Sequence, residues 1–235
     1  MTNRSRWLRT IALPSLALSL GATIVVAQGL LGMLTVTRRL EPIVVTLHLL
    51  FGCATLSLLL WLVLSLRGRA LHGRAAPIPS GALRRPQRLA LAGLIALAAQ
   101  IALGGWTSSN YAAVGCPDFP TCQGEWWPSA DFRSAFAGGV LEAPARVAVQ
   151  LTHRLGALVV AIALSGAAVA ALRVNHAGTR RIAGLVLATL VLQVAIGITM
   201  VLQGFPLWLA TAHNAGAACL LMATVGLNRT LRPLA

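Results

Sequence analysis

No lysine occurs in this chain, and only five acidic residues stand against nineteen arginines in 235 positions. Charged residues make up 10% of the sequence and apolar ones 57%, with a mean hydropathy of +0.78. So little charge cannot coat a soluble globule of this length, and the apolar excess is more than one could bury. The composition predicts an all-α, polytopic membrane protein. None of the five acids lies inside an apolar run, so no carboxylate is expected at membrane depth.

Runs long enough to cross a bilayer core of roughly 30 Å fall at about 11–37, 42–66, 87–109, 146–172, 180–203 and 207–228, which predicts six transmembrane helices. The first run follows arginines but is too long for a signal-peptide core and reads as a retained helix. Fourteen arginines and no acid lie in the N-terminal segment, the second and fourth connections and the tail, among them Arg4, Arg67, Arg84, Arg173 and Arg229. The other connections hold all five acids, Glu41, Asp118, Glu125, Asp131 and Glu142. Positive charge gathers on the cytoplasmic side, so both termini are expected inside. The net charge of +14 is then a matter of orientation against anionic lipid, which argues against a nucleic-acid partner.

Gln28, Gly32 and His48 recur 165 residues later as Gln193, Gly197 and His213. Pro42 and Pro206 mark the restart of the chain after each outer turn. The first two spans therefore mirror the last two, as in an incomplete tandem repeat of a four-helix unit whose missing leading pair would be on the order of 85 residues. Residues 1–66 form the incomplete half, 67–88 a cytoplasmic linker rich in proline and glycine, and 89–235 a four-helix unit with a long outer loop at 110–145.

His48, His153 and His213 each lie about six residues into a span entered from outside, which places them at one depth near the outer leaflet. Ionisable groups at that depth are costly and point to a metal or cofactor. Neutral imidazoles on facing helices are the usual axial ligands of haem iron, and His153 with His213 is the preferred pair. The absence of C-x-x-C-H excludes covalent c-type attachment, and cysteines away from histidine depth disfavour a bare zinc site. Arg154 can snorkel outward or pair with an anion such as a propionate, and Gln150, one turn before His153, can orient the ring or pack. Gln28, Gln100 and Gln193 each precede a glycine by four residues, a spacing that reads as close helix packing with room for a flat macrocycle as the other use.

Cys116 and Cys122 fall on the oxidising side, where a disulfide pins the loop, with electron transfer as the sharper alternative. Cys53 and Cys219 read as packed apolar residues, and His72 and His176 as solvated. Trp106, Tyr111, Trp126, Trp127 and Trp208 read as an interfacial belt.

The run from Gln100 to Trp106, the segment Asn110 to Ala113, the loop Cys116-Pro117-Asp118-Phe119-Pro120-Thr121-Cys122, and the pairs His153-Arg154 and His213-Asn214 together resemble the haem A synthase family of bacterial inner membranes. The resemblance implies two four-helix halves, the oxidation of the C8 methyl of haem O to the formyl of haem A, and a role in cytochrome oxidase assembly. By that likeness His153 and His213 ligate haem b in the C-terminal half, with Arg154 beside the cofactor. His48 becomes the catalytic-site ligand to the iron of the haem O substrate, and the cysteine loop faces the periplasm. A haem O synthase, an electron donor and a second copy of the chain are the candidate partners. The family's Glu-x-x-His-Arg motif has no match here, and Gln150-x-x-His153-Arg154 carries Gln where that motif has the acid. A non-catalytic b-type haem carrier relying on His153 and His213 alone is the alternative reading.

Overall fold

The computed structural model describes residues 13–70, 80–137 and 139–232. Arg4, Arg6, Arg9, His72 and Arg74 lie outside them. The described residues form six α-helices: α1 Leu13–Thr37, α2 Pro42–Ala70, α3 Ser80–Ser109, α4 Ala143–Leu172, α5 Ala177–Leu202 and α6 Leu207–Thr230. A 3-10 turn, Ala112–Gly115, lies in the outer loop. Five helices, α2 to α6, are long and apolar enough to cross a membrane, and α1 adds a shorter apolar stretch at Gly21–Thr37. The protein is a multi-pass membrane helix bundle.

Helices α3, α4, α5 and α6 form a closed ring, each packing on the next and α6 returning to α3. Helices α4 and α6 thus occupy one diagonal and α3 and α5 the other. Helix α2 docks on α3 and α6, and α1 docks on α2. Small residues let the ring close tightly: Ala167, Ala168 and Ala171 of α4 and Ala183 of α5 are fully buried beside Leu164, Leu220 and Leu227. Gly93 of α3 gives way to Leu164, whose Cδ2 would lie 2.8 Å from a Cβ there.

Helix occupies more of the 67–88 stretch than its proline and glycine content predicts, since α2 runs to Ala70 and α3 starts at Ser80 and passes through Pro86. Tertiary contacts outweigh the lost backbone bond. Leu83 and Ala90 are buried in the ring, Gln87 Nε2 donates to the carbonyl of Leu231 at 2.6 Å, and Asn228 Nδ2 donates to that of Ala90 at 3.0 Å.

The internal repeat extends to individual backbone bonds. In the α1–α2 turn Arg38 N donates to Leu34 O, Arg39 N to Val36 O and Leu40 N to Thr35 O, at 2.9, 3.1 and 2.8 Å. In the α5–α6 turn Gln203 N, Gly204 N and Phe205 N repeat this toward Thr199, Val201 and Met200 at 3.0, 3.1 and 2.8 Å. Each pair is offset by the same 165 residues as the histidines. Both turns reverse through two residues at positive φ, Arg39 and Leu40 in one, Gly204 and Phe205 in the other.

Candidate functional site

Three histidines on three helices meet the same surroundings. His153 on α4 faces α3, where Gln100 Nε2 donates to its main-chain carbonyl at 2.9 Å and lies 3.1 Å from its Nδ1. His213 on α6 faces α5, where Gln193 Nε2 donates to its carbonyl at 3.1 Å and lies 3.3 and 3.2 Å from its Nδ1 and Nε2. His48 on α2 faces α1, where Gln28 Nε2 donates to its carbonyl at 3.1 Å. The glycine four residues after each glutamine opens room for the ring. A Cβ at Gly32, Gly104 or Gly197 would stand 3.1, 3.3 or 3.0 Å from the Cε1 of the facing histidine.

A second set of glycines completes each notch, and the sequence reading missed it. Gly52, Gly156 and Gly216 follow the histidines by three or four residues and bare the histidine carbonyl to the glutamine. A Cβ at Gly156 or Gly216 would collide with Oε1 of Gln100 or Gln193, and one at Gly52 would lie 3.0 Å from Nε2 of Gln28. The available signal was glycine at one turn beyond each intramembrane histidine. The Gln-x-x-x-Gly spacing is therefore a polar clamp as well as a packing seam.

His153 and His213 lie on the diagonal helices α4 and α6. No buried residue lies between Leu151 and Val160 on α4, between Leu190 and Val201 on α5, or between Leu209 and Leu220 on α6. No group of three or more His, Cys, Asp or Glu that could hold a metal ion gathers among the described residues, so the three histidines do not share one site.

Two observations test whether a bis-imidazole haem suits the pair. The first is placement: His153 and His213 stand on the diagonal helices of one ring, and two imidazoles so placed can hold a flat group between them. An imidazole that gives its Nε2 lone pair to iron carries its proton on Nδ1 and needs an acceptor there. Oε1 of Gln100 and Oε1 of Gln193 are buried and make no hydrogen bond, and His153 Nε2 makes none either. Two imidazoles are a donor type that haem iron takes, and the glutamines present Nε2, not Oε1, to the rings.

Arg154 turns away from the ring of His153 toward the outer loop. Its Nη1 donates to Thr121 O at 2.8 Å, and Nη2 donates to Cys116 O at 3.0 Å and Asp118 O at 2.7 Å, with the guanidinium 5.7 Å from the Phe119 ring centroid. Gln150 is 95% buried, and its Oε1 has no partner. Cys116 and Cys122 form a disulfide, buried against Val147 and Leu151 of α4. Between them, the Asp118 carboxylate accepts from Thr121 Oγ1, Gly124 N and Gln123 N at 2.5, 3.0 and 2.6 Å. These bonds, the Thr121 hydroxyl foremost, hold its pKa below the ordinary carboxylate value.

Trp106 is more than a belt residue: its Nε1 donates to Ala135 O at 2.9 Å and its ring stacks on Phe136. Tyr111, Trp126, Trp127 and Trp208 are exposed, as a belt requires. Cys53 packs against the core, whereas Cys219 lies exposed on α6. His176 is not merely solvated. It caps α5, with Nδ1 accepting from Thr179 N at 3.1 Å, because a chain entering a helix leaves amides that need acceptors.

Fold and notches together define a class, a multi-pass membrane protein with histidine sites built between its helices. The model of the COX15-CtaA family, described as cytochrome oxidase assembly protein, matches residues 5–225, and the chain belongs to that family. It is 41% identical over 216 residues to the heme A synthase of Shewanella oneidensis, covering 87% of this chain and 63% of the relative. Against the heme A synthase of Rhizorhabdus wittichii it is 32% identical over 191 residues, 81% of this chain and 52% of the relative. Against that of Paracoccus denitrificans it is 36% identical over 177 residues, 74% and 45%. The chain spans roughly half to under two thirds of the length of these curated relatives.

Proposed function

We propose that this protein acts in haem A synthesis, in the oxidation of the C8 methyl of haem O to a formyl group, with haem b held by His153 and His213. The observation that carries the reading is the repeated glutamine clamp on His153 of α4 and His213 of α6, which stand on diagonal helices of one four-helix ring. When bound there, haem b supplies reversible one-electron chemistry. The chain's residues do the rest. Gln100 and Gln193 orient the ligands, the aliphatic core below excludes water, and the Arg154-bound loop closes the outer end.

His48, alone in its notch on α2, serves as a ligand for the iron of haem O, at the depth of the cofactor pair. The arginine distribution orients the protein in a bacterial inner membrane with both termini cytoplasmic and the Cys116–Cys122 loop periplasmic. An electron donor, a haem O synthase or a second copy of the chain completes the system as partner.

Gln150, one turn before His153 where the family's motif has an acid, favours the second reading, a b-type haem carrier that leaves the porphyrin unchanged. Extraction of haem from cells expressing the chain separates the two. Formyl-bearing haem supports the oxidation, and unchanged haem O supports the carrier. In both cases the purified protein shows a low-spin Soret band that His213→Ala abolishes and His48→Ala leaves in place. A protein without that band, or one indifferent to His213→Ala, defeats both readings.

A further inference from the structure

We propose that the inner end of the seam between α2 and α6 binds the phosphate headgroup of an anionic phospholipid, held by Arg229 and Arg232 where both meet Trp61. The site is independent of what the histidines hold. Trp61 of α2 follows His48 by 13 residues, about 20 Å along the helix, at the end of the bundle away from the cysteine loop. The arginine distribution places that end in the cytoplasm. Tryptophan suits headgroup level, where its apolar body and its N–H find different surroundings.

Two guanidinium groups meet this one indole. Cζ of Arg232, just past the end of α6, lies 4.8 Å from its centroid, and Cζ of Arg229, in the last turn, lies 5.8 Å away. Arg229 Nε also donates to Ser65 Oγ at 3.1 Å, one turn beyond Trp61 on α2. An arginine stacked by its face keeps the N–H groups along its edge free, and that fork matches two oxygens of a phosphate. Among the described residues, the Arg229 side chain makes no other hydrogen bond and that of Arg232 makes none.

Like charges on one indole repel, and no acidic side chain is at hand to offset them. All five acids, Glu41, Asp118, Glu125, Asp131 and Glu142, belong to the outer connections. The carbonyl end of α6 carries roughly half a negative charge, too little against two full positive ones. An anion from outside the chain completes the balance. The inner leaflet presents such groups at this level. Leu58 and Leu62, on the same side of α2 as Trp61 and Ser65, are exposed and offer the acyl chains an apolar track, which a free phosphate does not need.

The test uses the full chain, purified in uncharged detergent, stripped of lipid and offered phosphatidylglycerol, phosphatidylcholine or inorganic phosphate. Native mass spectrometry counts retained lipid, and thermal unfolding reads stabilisation. The wild type is expected to retain one phosphatidylglycerol in preference to phosphatidylcholine, whose phosphate is already paired with its own cation, and to melt higher with it. Arg229→Gln with Arg232→Gln should cut retention about tenfold or more, the usual effect of losing charge-assisted hydrogen bonds. Arg180→Gln with Arg181→Gln removes the same charge from exposed positions at the same end and should change nothing. Arg229→Lys with Arg232→Lys keeps the charge without the stacked fork and should lose most of the retention. Trp61→Leu, which keeps both arginines, should retain less than Trp61→Phe.

Equal loss in the Arg180 and Arg181 variant, or full retention in the lysine variant, would reduce the arginines to diffuse charge and overturn the site. A wild type that holds no phosphatidylglycerol does the same. Inorganic phosphate stabilising the chain as much as the lipid does would overturn the lipid as its occupant.

Discussion

At the residue scale, neighbouring side chains of α4 divide the work. His153 points to the α3 notch and Arg154 to the loop, where its two terminal nitrogens engage three carbonyls. Lysine presents one point charge and cannot span that arrangement. Arg154→Lys is therefore expected to cost about 2 kcal/mol and to speed reduction of the Cys116–Cys122 disulfide by a small thiol. Thermal unfolding and thiol-release kinetics measure the two effects, and a wild-type reduction rate would mean the latch carries no load. The sequence marked Arg154 as unusual because it is a charge in an apolar run, yet left open whether it snorkels or meets an anion. Its partners are backbone oxygens more than thirty positions away, and no residue type signals a carbonyl in wait.

At the element scale, the hairpin turns and the outer loop make separate predictions. Gly204 and Arg39 hold equivalent places at positive φ, 71° and 49°, a region that costs a side-chain-bearing residue about 1 kcal/mol. Arg39→Gly should be neutral or stabilising by about that amount in thermal unfolding, and Gly204→Arg destabilising; the reverse order would break the equivalence of the turns. In the loop, the Asp118 pKa is lowered on folding, so the loop gains from the ionised carboxylate at neutral pH. That gain persists above the ordinary carboxylate pKa of about 3.9 and is lost as pH falls through the lower folded value. Protease cleavage between Cys116 and Cys122 should stay flat from pH 7 to pH 5 and rise only under stronger acid, with Asp118→Asn raising it at neutral pH. The helices themselves were legible to within about four residues at most ends, since long apolar runs admit one solution in lipid. The start of α3 was not, because Pro86 is a strong local breaker and only the burial of Leu83 and Ala90 reveals what overrides it.

At the scale of the whole molecule, the α1–α2 hairpin meets the four-helix ring through α2, which packs on both α3 and α6. Gly105 of α3 is the closest seam: a Cβ there would lie 3.0 Å from Leu49 Cδ2 and 3.3 Å from Thr46 Cγ2. Gly105→Leu should loosen the hairpin from the ring while the His153–His213 pair keeps its iron protoporphyrin. Cross-linking between α2 and α3 together with the Soret band reads both, and loss of the band would mean that the pair depends on the docked hairpin.

The amino-acid sequence alone determined the membrane-embedded helices and the 165-residue repeat of Gln, Gly and His. Hydropathy and spacing are properties of a segment by itself and need no neighbour to be read. Only the tertiary structure decided what each polar group in the apolar interior touches: glutamine on a histidine carbonyl across a helix seam, arginine on the loop, two imidazoles on a diagonal and the third apart. Buried hydrogen-bond partners are chosen by distance in space, and here they lie between 20 and 53 residues apart along the chain, where no local pattern connects them.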